Sequence, residues 1–371
     1  LWIGNLLGET AYAALTNSTP IILILTSVAM GATNGVSILI SQAIGAKDKK
    51  KAESLIATSF CVAVTFSLLV TILLEIYLYL YFTAVLRSFG NSMFQAVAML
   101  VSTILNAVFD PVFIHFIGFH GAAIATLLSQ MICLLFMLTY LKKKKLFTFK
   151  ISAFNCSDVL LLIQKAIPSV IQQSIPAIST TSLTALVSTY SVTAIAAYGV
   201  TGKLETILFY PAMALNMVLT TIIGQCAGGA RYDRAKDYLK CALGYGCGLL
   251  VILSVLVVGF SKQLSGLFVR SSDVAVIVGT YFLIVSIGYV LNTVTNCYLG
   301  ALNGMGKPSI SMFLMIFYYI VVRMPLAYLL SYLGFGLNGI WVAVLVSHIV
   351  ASLAATMTGT VLIRKKGNIK A

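Results

Sequence analysis

Four carboxylates stand where a carboxylate is expensive. Asp48, Glu53, Asp158, Asp233, Asp237 and Asp273 belong to polar turns, but Glu9, Glu75, Asp110 and Glu205 lie within apolar segments. A charge at the centre of a bilayer costs about 2.5–3.5 kcal/mol on insertion scales, so one retained there calls for a function or a partner. Asn106 and Asp110 are spaced i, i+4, which stacks an amide and a carboxylate on one helix face. Thr126, in the next segment after GAAIA, is placed to face them across an antiparallel pair. Carboxylate, amide and hydroxyl oxygens are hard ligands suited to sodium, and a carboxylate withdrawn from water is also suited to holding a proton. The plainer reading of Asp110, which precedes Pro111, is a turn cap near the membrane surface. Asn106, a second polar group on the same face, favours the ion site.

Other polar residues are candidates for a substrate cavity. Gln172 and Gln173 lie between Pro168 and Pro176 in a segment that also carries Ser174, Ser179, Thr180, Thr181 and Ser182. They can line a cavity or hydrogen-bond between helices. Glu205 is a candidate contact for a substrate cation; Lys203, two residues away, does not share its face. Arg323 is expected to pair or to snorkel. Asn34, among the small and hydroxyl residues after Thr26, and Tyr210, Met213 and Tyr298 complete the cavity candidates. His115, His120 and His348 are unclustered and the seven cysteines contain no CxxC, so neither a metal centre beyond sodium at Asp110 nor a disulfide framework is implied. No cofactor is expected beyond a coupling ion, H+ or Na+.

The elements that must hold these groups are membrane helices. The 371 residues are 60% hydrophobic and 9% charged, with a mean hydropathy of +1.00, far from the ~25% charged fraction of soluble domains. The net charge of +14 comes from Lys and Arg gathered in short turns and tails, such as KDKKK at 47–51, KKKK at 142–145 and ARYDRAK at 230–236. Lys262 and Arg270 share another turn, and Lys203 and Arg323 lie in apolar segments. This is the positive-inside pattern. It places the basic turns and the C-terminus in the cytoplasm and gives no support to nucleic-acid binding.

The chain is also duplicated. At a constant offset of 183, Thr10, Ala11, Ala13, Ala14, Ile24, Leu25, Ala29, Met30, Ile40, Gln42, Gly45 and Ala52 meet identical residues. Leu86 and Gly90 meet Leu302 and Gly306 at an offset of 216; Gly118, Gly121, Ala125, Leu127 and Ser129 meet Gly336, Gly339, Ala343, Leu345 and Ser347 at 218. Apolar segments near 15–44, 93–114, 119–140, 165–189, 194–225, 238–260, 275–301, 309–332 and 336–363 follow from the hydropathy. Six segments per half is an even number, so the two copies insert in the same orientation. The reading is an all-α membrane protein of two parallel six-helix bundle repeats: an N-terminal bundle over 1–141, a cytoplasmic linker over 142–163 and a C-terminal bundle over 164–371.

The first copy is incomplete on this reading. The chain opens on LWIGNLLGE without Met, so a first helix is expected to be missing. Lys51 and Arg87 both belong to basic turns, yet 52–86 is a single apolar run, too short for two spans of about 20 residues and a turn. The change of offset from 183 to 216 predicts that about one helix and a turn are missing near Glu75 to Tyr77. At the corresponding second-copy positions, Asn106 and Asp110 meet Val322 and Leu326, or Met324 and Tyr328, all apolar. A structural requirement should recur in both copies, whereas an ion site need occur once.

GETAYAAL, MGATNGVSILISQAIGAKD, LRSFGNS, LNAVFDPVFI, GAAIAT and KLETILFYPAMAL with GQCAGGARYDRAK resemble, in order and spacing over essentially the whole chain, the multidrug and toxin extrusion transporters, specifically a bacterial branch of the DNA-damage-inducible type. The resemblance implies twelve helices in two bundles around a central cavity, exchange of an organic cation or amphiphilic drug for H+ or Na+, no nucleic-acid partner, a monomer, and a bacterial inner membrane. It also places the matching Asn, Asp and Thr in a cation site of the first bundle, with a further Asp that would precede Leu1. One branch has a Glu near Gln172 and Gln173, where this chain has amides. A flippase of related architecture for lipid-linked precursors should carry more cavity cations than Arg323 and Lys203. A membrane-embedded enzyme should show paired Asp motifs, a His-Glu metal pair or a nucleophile with its base, and the sequence has none; nor has it a phosphate-binding loop for ATP-driven transport.

Overall fold

A computed structural model describes residues 26–69, 74–145, 153–269 and 271–368. The 10–25 part of the repeat, Glu9, Lys150, Arg270, Lys370 and the side chain of Glu75 lie outside the described residues. Those described are helical almost throughout, without a strand. The helices are α1 (Thr26–Gly45), then α2 (Lys49–Leu69), α3 (Leu74–Ser88), α4 (Ser92–Ile117), α5 (Phe119–Lys144), α6 (Cys156–Ser188), α7 (Val192–Gly228), α8 (Tyr232–Gly266), α9 (Ser272–Gly304), α10 (Pro308–Ile316), α11 (Met324–Leu330) and α12 (Gly336–Asn368). By length and composition, seven stretches among the described residues can cross a membrane, and the last of these, Pro308–Lys365, is 58 residues long, enough for two passes. Helix suits hydrocarbon because it satisfies every backbone polar group within the segment.

The chain divides into two units, Leu1–Val170 and Ile171–Ala371. The boundary falls inside α6, not at residue 163, and the linker expected over 142–163 is helical at both margins: α5 runs to Lys144 and α6 begins at Cys156.

In the first unit the core is formed by Leu39, Ile40, Leu55, Ile56, Tyr81, Val85, Leu86 and Met137. Polar bonds cross it: Ser37 Oγ meets Ser88 Oγ at 3.0 Å and Tyr81 donates to the Ile56 carbonyl at 2.8 Å. The start of α6 is pinned to α2. The buried Asp158 carboxylate accepts from Lys51 Nζ and, at 2.7 Å, from Ser54 Oγ, while the Asn155 N–H donates to Thr58 Oγ1 at 3.0 Å. In the second unit α9 packs against α7, α8 and α12. Small residues let α7 and α9 approach closely, in the manner of membrane helix pairs: a Cβ on Gly300 would lie 2.5 Å from the Asn216 carbonyl oxygen, and one on Gly304 would lie 2.8 Å from that of Thr220.

The turns carry the duplication in their backbone geometry. After α1, the Asp48 N–H donates to the Ala43 carbonyl at 3.0 Å with Lys47 at φ 58°; after α7, Arg231 donates to Cys226 at 2.8 Å with Ala230 at φ 55°. Both are helix ends closed by a left-handed residue, offset by 183. Asn91 to Leu86 (3.1 Å) with Gly90 at φ 78° and Lys307 to Leu302 (3.0 Å) with Gly306 at φ 77° repeat the device at 216. Gly118 at φ 67° and Gly336 at φ 61° repeat at 218.

Between the first two pairs of turns the copies differ in length. The α2–α3 hairpin has helices of 21 and 15 residues, against 35 and 33 in α8 and α9. Both described helices on either side of residues 70–73, which lie outside the described residues, are thus shorter than their second-copy counterparts.

The α7–α9 contact positions the cavity described below, and it predicts that Gly300→Ala forces α7 away and destabilises the protein by about 1–3 kcal/mol. Thermal unfolding of the purified protein in detergent should show a lowered midpoint for Gly300→Ala and none for Gly248→Ala, where a Cβ meets open space.

Candidate functional site

In the first unit, α4 and α5 form a hairpin locked by the Gly118 turn, by Ser102 Oγ donating to the Ser129 carbonyl (3.2 Å) and by Cys133 Sγ against the Ala98 carbonyl (3.2 Å). The hairpin brings Asn106, Asp110 and Thr126 together. Asn106 Nδ2 donates to Asp110 Oδ1 at 3.3 Å and to Thr126 Oγ1 at 3.2 Å, and Thr126 donates to the Ala122 carbonyl at 3.0 Å. Asp110 is half-buried and Thr126 exposed within the unit. Pro111 lies inside α4; lacking an N–H, it leaves the Ala107 carbonyl without its helix donor. Asp110 is thus a mid-helix residue with side-chain partners, not a terminal cap.

The second unit holds a cavity of about 290 Å³ built by α6, α7, α9, α12 and the stretch between α10 and α11. Gln172, Gln173, Glu205, Tyr210 and Met213 all line it. Glu205 Oε1 accepts from two buried phenols of α9, Tyr281 and, at 2.5 Å, Tyr289. Arg323 lies on a π-helical stretch, Phe317–Arg323. Its Nε donates to Ser347 Oγ at 2.8 Å, its Nη2 meets His348 Nε2 at 3.2 Å, and its guanidinium stacks on Tyr319 at 4.3 Å. A guanidinium only donates, so His348 Nε2 is the acceptor. Amides complete the wall: Asn216 Nδ2 donates to Asn296 Oδ1 (3.4 Å), and Asn296 Nδ2 to the Asn292 carbonyl (3.0 Å) and Oδ1 (3.2 Å).

Several expectations meet a definite geometry here. Gln172 both lines the cavity and accepts from Asn303 Nδ2 at 3.3 Å, so the two readings of the glutamines coexist. Arg323 is buried and paired, not snorkelled; Lys203 is exposed and outside the lining. Tyr298 is a correction: it is absent from the lining and packs where a Cβ on Gly359 would come within 2.4 Å of its ring. Asn34 belongs to α1 of the first unit, buried with an unpartnered Oδ1, and does not line this cavity. The sequence reading passes over Tyr281, Tyr289, Asn292 and Asn296, and takes His348 only as an unclustered histidine. Asn292 and Asn296 repeat the i, i+4 spacing of Asn106 and Asp110, a signal that was available. No group of three metal-ligating side chains occurs among the described residues.

A family model, MatE, matches residues 1–83 and 168–329. The probable multidrug resistance protein YpnP of Bacillus subtilis (strain 168) is 26% identical over 400 residues, covering 96% of this chain and 88% of that protein. A protein named FAD transporter from Shewanella oneidensis is 25% identical over 391 residues, covering 94% and 86%. The fold is that of a crystal structure of MATE in complex with MaL6, at a TM-score of 0.92 and 21% identity over 99% of this chain and 91% of that one. An outward-facing MATE family transporter matches with the same TM-score and coverage. Members and structural neighbours alike are transporters and not enzymes, and with its duplicated helical bundles and matched family model the chain belongs to the MATE family of multidrug and toxin efflux transporters.

Proposed function

We propose that the protein exports an organic cation or amphiphilic drug by secondary active transport, exchanging it for H+ or Na+ through alternating access of its two bundles. The observation that carries this reading is the Asn106–Asp110–Thr126 array. As it stands, the neutral amide Nδ2 of Asn106 donates to both the carboxylate and the hydroxyl. Rotating the Asn106 amide by half a turn exchanges its donor for its acceptor. Asn106 Oδ1, Asp110 and Thr126 Oγ1 then offer hard oxygen ligands to sodium, or Asp110 takes a proton. The array thus has a resting form and an ion-loaded form within the same hairpin.

The cavity of the second unit supports an aromatic, amphiphilic cargo, with Glu205 and the phenol, thioether and amide side chains of Tyr210, Met213, Gln172 and Gln173 in its wall. The relative named FAD transporter means that family membership alone does not fix the cargo. A flippase for lipid-linked precursors is less well supported, because Arg323 is the single cationic side chain among the described lining residues. The remaining assignments are a monomer in a bacterial inner membrane with the basic turns and C-terminus in the cytoplasm, supported by the Lys-rich ends of α5 and the α1–α2 turn.

Ion-gradient-driven efflux of a fluorescent cation from cells expressing the protein tests the reading. Asp110→Asn at matched expression should reduce gradient-driven efflux at least about tenfold, within the 5–150-fold range of ordinary site-to-site coupling; unchanged efflux would show that Asp110 only supports its helix. Thr126→Val separates the two ions. If sodium drives transport, the variant should need more sodium for half-maximal efflux; proton-driven efflux should not respond, because the carboxylate that takes the proton is intact.

A further inference from the structure

Four lysines end α5 without an acidic partner among the described residues. Lys142, Lys143 and Lys144 form its last turn, and Lys145, at φ 48°, closes it. All four are exposed, while Leu141 just before them is buried in the core of the first unit. Successive helical positions turn by about 100°, so the ammonium groups ring the helix end as a collar and do not lie along one side that a neighbouring helix could cover. A helix C-terminus carries about half a negative charge, which a single lysine more than offsets. The ion pairs within 4 Å among the described residues are Lys51–Asp158 and Lys236–Asp233, and neither involves the collar. The carboxylates described in the first unit are engaged elsewhere: Asp158 by Lys51 and Ser54, Asp110 by Asn106, Asp48 by the Lys51 N–H at 2.9 Å, and Glu53 beside Lys47 and Lys49 at the α1–α2 turn. The α7–α8 turn of the second unit is built otherwise, for Arg231, Arg234, Lys236 and Lys240 are interspersed with Asp233 and Asp237.

The surface leading to the collar is graded. Phe136, Tyr140 and Lys144 are spaced i, i+4, i+8 and stack in one row on α5, about 12 Å long. Tyr140 stacks on Phe94 of α4 with ring centres 3.6 Å apart, and Phe94 on Phe136 at 5.1 Å. Asn91 Nδ2 donates to the Tyr140 hydroxyl at 2.6 Å. Phe136 and Met93 remain 46% and 77% exposed. The row therefore runs from exposed hydrocarbon through a phenol and an amide to ammonium groups, and a phospholipid presents acyl chain, ester and phosphate in the same order. Amphipathic rings rest at the membrane–water boundary, and a basic cluster at the end of a membrane helix attracts anionic headgroups. We infer that the end of α5 binds an anionic phospholipid of the leaflet in which the helix ends, with its phosphate in the lysine collar, its ester region at Tyr140 and Asn91 and its acyl chain along Phe136 and Met93. A zwitterionic phospholipid brings its own cation to the phosphate and answers less of the lysine charge, so the site discriminates by headgroup charge. The inference goes beyond the export reading and does not depend on it.

Titration of the purified, lipid-stripped protein with dioleoylphosphatidylglycerol or dioleoylphosphatidylcholine, read by native mass spectrometry as the dissociation constant of the first bound lipid, tests the site. The anionic lipid should bind the wild type at least about tenfold more tightly, because each lysine near an anionic headgroup adds to the attraction. That margin should narrow as ammonium acetate is raised from about 0.05 to about 0.5 M, since screening shortens the reach of the charges. The variant combining Lys142→Gln, Lys143→Gln, Lys144→Gln and Lys145→Gln should bind the two lipids alike. The variant combining Arg231→Gln, Arg234→Gln, Lys236→Gln and Lys240→Gln removes as many charges from the second unit and should keep the preference. The collar lysines are exposed, and the wild-type comparison of the two lipids decides even if a variant does not fold. Equal affinity of the wild type for both lipids overturns the inference, as does an equal loss of preference in the two variants, which would trace it to net charge alone. Displacement of the anionic lipid by an equal concentration of glycerol 3-phosphate also overturns it, because the collar would then be a site for free anions. The export reading stands or falls on the efflux measurements and is untouched by any of these results.

Discussion

An ion placed in hydrocarbon must bring its own solvent, and most of the polar architecture of this protein answers that requirement. The Glu205 carboxylate is solvated by two phenols from α9, the Arg323 guanidinium by a hydroxyl, an imidazole and an aromatic face. At the start of α6, Asp158 is solvated by Lys51 and Ser54. Such networks stabilise a charge only while every member is in place, so the helices that contribute to them are fixed in register with one another. α9 illustrates the consequence. Its glycines allow α7 to approach, that approach puts Glu205 within reach of Tyr281 and Tyr289, and the bonded carboxylate becomes part of the cavity wall.

The duplication acts as a second constraint. Its traces are strongest where backbone geometry, not side-chain chemistry, is at stake. Lys47 and Ala230 share no chemistry, yet both occupy the left-handed position that closes a helix, because the turn geometry between successive membrane helices is needed in each copy. Side chains inside the helices are free to diverge. Asn106 and Asp110 form a hydrogen-bonded polar array with Thr126 in the first unit, while the positions that match them in the second are apolar. Between those turns length has diverged too: α2 and α3 have 21 and 15 residues where α8 and α9 have 35 and 33.

What the sequence showed and what it hid follow from distance along the chain. Asn106, Asp110 and Thr126 were legible because one helix spacing and one tight hairpin bring them together. Gly90 with Gly306 and Gly118 with Gly336 were legible as matched positions of the two copies, but the left-handed geometry they share was not. The partners of Glu205 were not, because Tyr281 and Tyr289 lie 76 and 84 residues away in a helix whose tyrosines read as ordinary membrane aromatics. Tyr298 sits in the same helix and has the same composition around it. Only the register of α9 against Gly359 on α12 turns it away from the cavity, and register between distant helices is set by packing that no local pattern records. Arg323 was seen as a charge in need of a partner, but whether it would turn inward or snorkel depended on Ser347 and His348 being presented by α12.

The offset between the copies rises once more, from 216 at Gly90 and Gly306 to 218 at Gly118 and Gly336. Two extra residues must therefore be absorbed between Pro308 and Phe335, and that segment contains two wide helical stretches, Phe317–Arg323 and Ser331–Phe335. A π turn closes its hydrogen bond one residue later than an α turn and so takes up one residue without breaking the helix. The first stretch ends on Arg323. A residue absorbed there changes the facing only of side chains within the widened turns, and those beyond Phe335 meet their first-copy counterparts again at an offset of 218. The two bundles thus arrive at different chemistry from one ancestral helix: α4 keeps an unbroken ladder up to Pro111 and presents an amide and a carboxylate, whereas its counterpart widens and presents a guanidinium to the cavity. The divergence between the halves, with a hydrogen-bonded polar array in one and a charged aromatic cavity in the other, is written in helix periodicity as much as in residue identity.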